Sequence, residues 1–254
     1  PVETYEVNVI GTVNLLQAVR SVSTVRAVVN VTTDKCYENR EWPWPYRESD
    51  VLGGSDPYAS SKACAEIVTA AYRASFLAAG GVAVASARSG NVIGGGDWAA
   101  DRLVPDFLRS LGRGEAFSVR SPSAVRPWQH VLEPLQGYLL LAEQLCSAGA
   151  AVAEGWNFGP DDSDMRPVGW IADYLCARTG TRWEEDASDR PHETNVLRLD
   201  SSKARSELSW QPRWNLSTAL DRTLDWYEAW RDGGDMAALA LAQITAYSAA
   251  AADD

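Results

Sequence analysis

The sequence predicts an α/β fold: a parallel sheet flanked by helices, with a smaller C-terminal α/β part. Three observations carry this. Short apolar runs end abruptly in polar residues, as Ala27 to Val31 (AVVNV) ends in Thr32, Thr33, Asp34 and Lys35. That is how a buried parallel strand reads where its carboxyl end reaches a surface. Longer stretches with helical spacing alternate with these runs, and shorter mixed elements follow them.

In order, Thr4 to Val22 places Val9, Val13, Leu16 and Val19 near helical spacing and is the expected crossover helix before the strand at Ala27. Asn8 lies on it, either solvated or facing a ligand. After Lys35, the segment CYENREWPWPYRESDVLGGSDP is rich in Pro, Gly and charge and reads as a long loop. Its Trp42, Trp44 and Tyr46 form either a lid or a cluster that packs the loop onto itself. A helix starts at Pro57 and ends near Gly80 and Gly81; a strand, Val82 to Ala87, then runs into Ser89, Gly90 and Asn91. The Gly94-Gly95-Gly96 run is either a plain turn or a close backbone approach to a phosphate or sugar.

Asp101 to Pro105 opens a helix to Gly112, and Ala116 to Arg120 is a short strand. Arg126 to Val131 leads into the apolar helix VLEPLQGYLLLAEQLC. Arg126 ahead of a helix start suits a phosphate contact, or a surface ion pair. Trp156 to Gly159 gives a short strand and turn, and Pro167 starts a helix through Arg178. Arg182 to Glu185 and Val196 to Asp200 read as strands. Ser201 and Ser217 are expected as N-caps of the two following helices. The terminal SAAAADD is of low complexity and is expected to fray.

Composition removes several classes of function. The net charge of −11 argues against a polyanion-binding surface, so no nucleic-acid partner is expected. No apolar run approaches the roughly 20 residues of a membrane-spanning helix, and no membrane partner is expected. Cys36, Cys64, Cys146 and Cys176 lack C-x-x-C spacing and read as free buried thiols of a reducing, cytoplasmic setting. With only His130 and His192, no metal site is expected.

The chemistry concentrates between Ala27 and Lys62. Ligands of open α/β sheets sit at the carboxyl ends of strands, where Thr33, Asp34 and Lys35 fall. Tyr58 and Lys62 are four apart on a helix and so share a face. An ammonium beside a phenol favours the phenolate. A phenolate so placed can take a proton from a sugar hydroxyl as hydride leaves the same carbon. A hydroxyl at Thr33 could bond both.

Taken together, VNVTTDKCYENREW, DPYASSKACAE, SGNVIGGGDWAADRLVPD, RPWQHVLEPLQGYLLLAE, GWNFGP and LRLDSSKAR resemble the CDP-glucose 4,6-dehydratases, from about Val2 to about Trp230. These belong to the extended short-chain dehydrogenase/reductase family, with a Rossmann-like sheet. The resemblance implies NAD as cofactor and CDP-glucose as substrate. It implies Tyr58 as the base at the 4-hydroxyl with Thr33 bonding that oxygen, Lys35 as base at carbon 5 and Asp34 as acid at the departing 6-hydroxyl. Lys62 would hold the nicotinamide ribose and Asn8 would lie near the cofactor. Asn91 and Arg126 would grip the pyrophosphate, Arg102 and Leu103 would touch the base, and Arg190 would be a second phosphate contact. Residues 1–95 would be what remains of the NAD-binding domain. Residues 96–235 would be mainly the nucleotide-sugar part, with some segments returning to the first, and 236–254 a C-terminal tail. Family members commonly pair through two helices per subunit, here 4–22 and 57–77, giving a homodimer or homotetramer of the full-length protein.

The sequence departs from the family in what precedes Pro1. No Gly-rich dinucleotide turn is present. Roughly one βαβαβ half is expected to be missing, and this polypeptide alone is expected to bind NAD poorly. The alternatives are another nucleotide-sugar dehydratase, a UDP-sugar 4-epimerase, or a non-catalytic dinucleotide-binding sensor. An epimerase has no need of the Asp34–Lys35 pair, and a sensor has no need of both Tyr58 and Lys62.

Overall fold

The structure is a computed structural model of the chain and describes residues 1–186 and 194–250. The described helices are α1 (Val2–Tyr5), α2 (Gly11–Val19), α3 (Pro57–Tyr72), α4 (Leu103–Arg113), α5 (Leu132–Ala148), α6 (Val168–Thr179), α7 (Ser202–Leu208), α8 (Leu216–Arg231) and α9 (Met236–Ala249). The strands are β1 (Ala27–Val31), β2 (Ala83–Ser89), β3 (Asn91–Ile93), β4 (Phe117–Val119), β5 (Trp128–His130), β6 (Gly155–Phe158) and β7 (Trp183–Glu185). A π-helical turn, Glu6–Ile10, joins α1 to α2, and another, Arg73–Leu77, extends α3. The chain divides into two compact units.

The first unit comprises 1–90, 134–159 and 199–211. Its sheet is three parallel strands in the order β1-β2-β6, with Ala27 opposite Ala83 and Ser86 opposite Gly155. Successive side chains of a strand alternate between faces, and β2 uses both. Ala83, Ala85 and Ala87 pack with Leu141, Leu145, Trp156, Phe158, Leu208 and Trp210. On the other face Val84 packs with Leu16, Val19 and Leu77, while Ser86 and Arg88 meet Glu66 of α3. Small alanines on the first face leave room for the large rings opposite them.

The second unit comprises 91–133, 160–198 and 212–254. Two parallel strand pairs, β3-β5 and β4-β7, stand beside α4, α6 and α8. One core joins them, with Phe107, Phe117, Val119, Ile171, Leu175, Leu216 and Leu220 all buried.

Several elements differ from the sequence reading. The residues of β5 were expected to lead straight into a helix, but Asn91–Ile93 recruits them as a strand. Val196 to Asp200 forms only isolated bridges, Val196 with Val125 and Leu199 with Tyr46. Ser201 makes no cap bond to α7. Its hydroxyl instead accepts from the Gly159 amide at 2.7 Å, and Asp200 accepts from Ser202 N. Asn215, not Ser217, caps α8, accepting from Thr218 N at 2.9 Å. Residues 236–254, read as a tail, contain α9. Cys146 is exposed, whereas Cys36 and Cys176 are buried. No described helix is long and apolar enough to cross a membrane.

Candidate active site

Thr33, Asp34 and Lys35 stand at the carboxyl end of β1, and Asp34–Cys36 forms a single 3₁₀ turn. Thr33 caps that turn, its Oγ1 accepting from Lys35 N at 3.3 Å and donating to Asp34 Oδ1 at 3.0 Å. Thr33 and Asp34 are buried, and Lys35 is exposed. The turn therefore points one amine outward and keeps a hydroxyl and a carboxyl at its base.

Helix α3 starts where Asp56 caps it, accepting from Tyr58 N at 2.8 Å and Ala59 N at 2.9 Å, with Pro57 in the first turn. This fixes Tyr58 at the mouth of the helix, 43% exposed. Lys35 Nζ lies 6.0 Å from the centre of the Tyr58 ring. Lys62, one turn on, is half-buried, and burial lowers its proton affinity while the charge of Glu66 raises it. Asn8 donates to Ser61 Oγ at 2.9 Å and Tyr5 shares a 2.6 Å hydrogen bond with Ser60 Oγ, so the N-terminal helix is tied to α3 one turn from Tyr58.

A buried polar network, which the sequence reading missed, holds the strand ends to α3. Glu66 accepts from Arg88 Nε at 2.9 Å and Nη2 at 2.7 Å, from Ser86 Oγ at 2.5 Å, and from Thr32 Oγ1. Burial pushes the Glu66 carboxyl up, but the Arg88 bonds and charge and the two hydroxyls outweigh it and hold it below the usual range. Arg88 Nη1 donates to Tyr37 OH at 2.8 Å, and Tyr37 OH donates to Asn157 Oδ1 at 2.7 Å. Tyr37 directly follows the Asp34–Cys36 turn, so one network joins the turn, β2, β6 and α3. The available signal was an arginine inside the apolar run AVASARS and a glutamate two turns after Tyr58.

The tryptophan-rich loop packs onto itself in this unit. Tyr46 is buried, stacks on Tyr37 and Trp42 with ring centres 5.3 Å apart in each pair, and accepts from Arg40 N at 2.6 Å. Trp44 alone stays in solvent, 68% exposed.

The expected substrate residues lie in the second unit. Asn91 opens β3, its amide donating to Pro127 O at 3.0 Å. Arg126 stands just ahead of β5, not at a helix start. Its guanidinium donates to the carbonyls of Val125 at 2.9 Å, Asn195 at 3.4 Å and Thr194. Arg102 is exposed at the start of α4, with Leu103 partly packed on the core. Arg190 lies outside the described residues. The glycine run serves packing: a Cβ on Gly95 would stand 2.0 Å from Trp226, and Gly96 takes φ +82°.

A parallel sheet with a Thr-led turn at a strand end and a Tyr-x-x-x-Lys helix beside it is the build of a short-chain dehydrogenase/reductase domain. Residues 1–223 match the GDP-mannose 4,6 dehydratase family, and the chain belongs to it. It is 49% identical to the CDP-glucose 4,6-dehydratase of Salmonella typhimurium over 98% of this chain and 72% of that enzyme. It is 28% identical to the dTDP-glucose 4,6-dehydratase of Streptomyces antibioticus, over 87% of this chain and 62% of that enzyme. Among solved structures, the dTDP-glucose 4,6-dehydratase of Streptomyces venezuelae with NAD bound superposes with a TM-score of 0.78 at 27% identity, covering 91% of this chain and 68% of that one.

Proposed function

We propose that the protein is an NAD-dependent CDP-glucose 4,6-dehydratase, forming CDP-4-keto-6-deoxyglucose and water. The observation that carries this is the 49% identity to an enzyme of that activity, against 24–28% to the dTDP-glucose enzymes. The Thr-Asp-Lys turn beside Tyr58 supports it.

The residues present fit the nicotinamide end of NAD: Lys62 is a half-buried ammonium with three donors for ribose hydroxyls, one turn from Tyr58. When bound, NAD supplies the acceptor and donor of hydride. Tyr58 takes the proton of the 4-hydroxyl, with Thr33 bonding that oxygen. A ketone at carbon 4 acidifies carbon 5; Lys35, whose amine lies close to the Tyr58 ring, removes that proton, and Asp34 protonates the departing 6-hydroxyl. Asn91 and Arg126 grip the diphosphate, Arg102 and Leu103 the base. Pairing of two copies through the N-terminal helix and α3 is supported by the exposed Val2, Val7, Ile10, Leu15, Ile67 and Phe76.

The test incubates the complete protein with CDP-, dTDP- and UDP-glucose and follows the alkali-induced absorbance of a 4-keto-6-deoxy sugar. CDP-glucose is expected to be turned over best, and equal turnover of dTDP-glucose would refute the assignment. Tyr58→Phe is expected to lower kcat by about 10²–10⁴-fold. Lys35→Ala is expected to stop solvent deuterium entering carbon 5.

A further inference from the structure

We propose that Tyr247, on helix α9, is a positioning residue for the diphosphate grip. This rests on the assignment of Asn91 and Arg126 to the substrate diphosphate.

The helix is anchored unusually. Its sequence, MAALALAQITAYSA, is apolar on most sides, yet only Gln243 and Tyr247 are buried. They are one turn apart and both bond through polar atoms. Gln243 Nε2 donates to Arg222 O at 2.8 Å. Tyr247 OH donates to Glu133 Oε2 at 2.8 Å. Arg213 Nη1 adds bonds to the carbonyls of Tyr247 at 3.1 Å and Ser248 at 3.0 Å, closing the helix end.

From Tyr247 a packed path leads to the grip. Glu133 is fully buried and also accepts from Arg213 N at 3.0 Å and Trp214 N at 2.8 Å. The Trp214 ring stands edge-on to both Tyr247 and His130, with ring centres 5.1 and 5.0 Å apart. His130 ends β5, and its Nδ1 accepts from Leu132 N at 3.3 Å. Strand β5 pairs with β3, Asn91 opposite Trp128 and Ile93 opposite His130. Arg126 is two residues ahead of β5. Trp214, backed by Tyr247, therefore stands against the end of the β3–β5 pair, whose strands begin at Asn91 and two residues after Arg126. Close packing transmits a shift of one member to the next, and a binding site loosened by about an ångström loses affinity.

The experiment compares two anchors of the same helix in the complete protein, using CDP-glucose kinetics well below each variant's Tm. Tyr247→Phe removes the bond on the path; Gln243→Leu removes one that lies off it. Tyr247→Phe is expected to raise KM about five-fold with kcat within about two-fold, and Gln243→Leu to leave both within about two-fold. Equal KM changes in the two variants, or KM and kcat worsening together with lost Tm, would overturn the proposal. Arg126→Ala separates the layers. If it raises KM while Tyr247→Phe does not, only the role of Tyr247 falls. If it leaves KM unchanged, the diphosphate assignment falls and the role of Tyr247 with it.

Discussion

Two buried glutamates, one in each unit, behave oppositely. Glu66 in the first unit and Glu133 in the second are both almost without solvent exposure. Glu66 meets a bidentate guanidinium, and its carboxyl is held below the usual range despite burial. Glu133 meets a tyrosine hydroxyl and two backbone amides, and burial pushes it up even though those bonds and the Arg213 charge oppose it. Burial is common to both; what differs is whether the opposing charge is in direct, two-point contact. The first arrangement ties α3 to strand ends, and the second ties α9 and the Arg213–Trp214 backbone to Glu133.

The largest test of this contrast is Arg88→Ala. It leaves Glu66 charged, buried and unpaired, and is expected to cost about 3–5 kcal/mol in denaturant unfolding. A loss below about 1 kcal/mol would mean that the pair is not what holds α3. Next, Tyr37→Phe strands an Arg88 N–H and the Asn157 carbonyl oxygen, for an expected loss of about 1–3 kcal/mol. Glu133→Gln, in a site held by neutral donors, is expected to cost only about 1 kcal/mol at neutral pH.

The pH dependence sharpens the contrast further, because the two shifts have opposite signs. The folded Glu66 carboxyl titrates below the ordinary 4.5, so its contribution is complete above 4.5 and is lost as pH falls through the folded value. The folded Glu133 carboxyl titrates above 4.5, so its contribution is complete below 4.5 and is lost as pH rises through the folded value. Wild type minus Glu66→Gln should therefore fall in stability on the acid side of 4.5, and wild type minus Glu133→Gln on the alkaline side. Curves bending the same way would erase the distinction. The smallest effect is reserved for Trp44→Ala, which touches neither network and should change stability by less than about 0.5 kcal/mol.

Local signals carried much of the first unit. Ala27 to Val31 is the strand expected from its apolar run, and Pro57 begins the helix because Asp56 and Pro57 are strong start signals. The second unit was less legible. A three-residue strand such as β5 has too little periodicity to announce itself, and it exists because β3 lies beside it. Ser201 looked like a cap, but the Gly159 amide, 42 positions away, claimed its hydroxyl. The Thr-Asp-Lys turn and the Tyr-x-x-x-Lys pair could be read because each is contiguous. Glu66 and Arg88 were harder to read: an arginine inside an apolar run marks a buried charge, but nothing local names its partner 22 positions away.

The sequence by itself determined the elements of the parallel sheet and the residue types at its strand ends, because periodicity, caps and turn residues act over a few positions. Only the tertiary structure decided that Lys35 stands over the Tyr58 ring, that Arg88 neutralises Glu66, and that Tyr247 reaches Glu133. Those outcomes depend on which distant groups share a dry interior, where a charge or hydroxyl must find a partner, and nothing local specifies which.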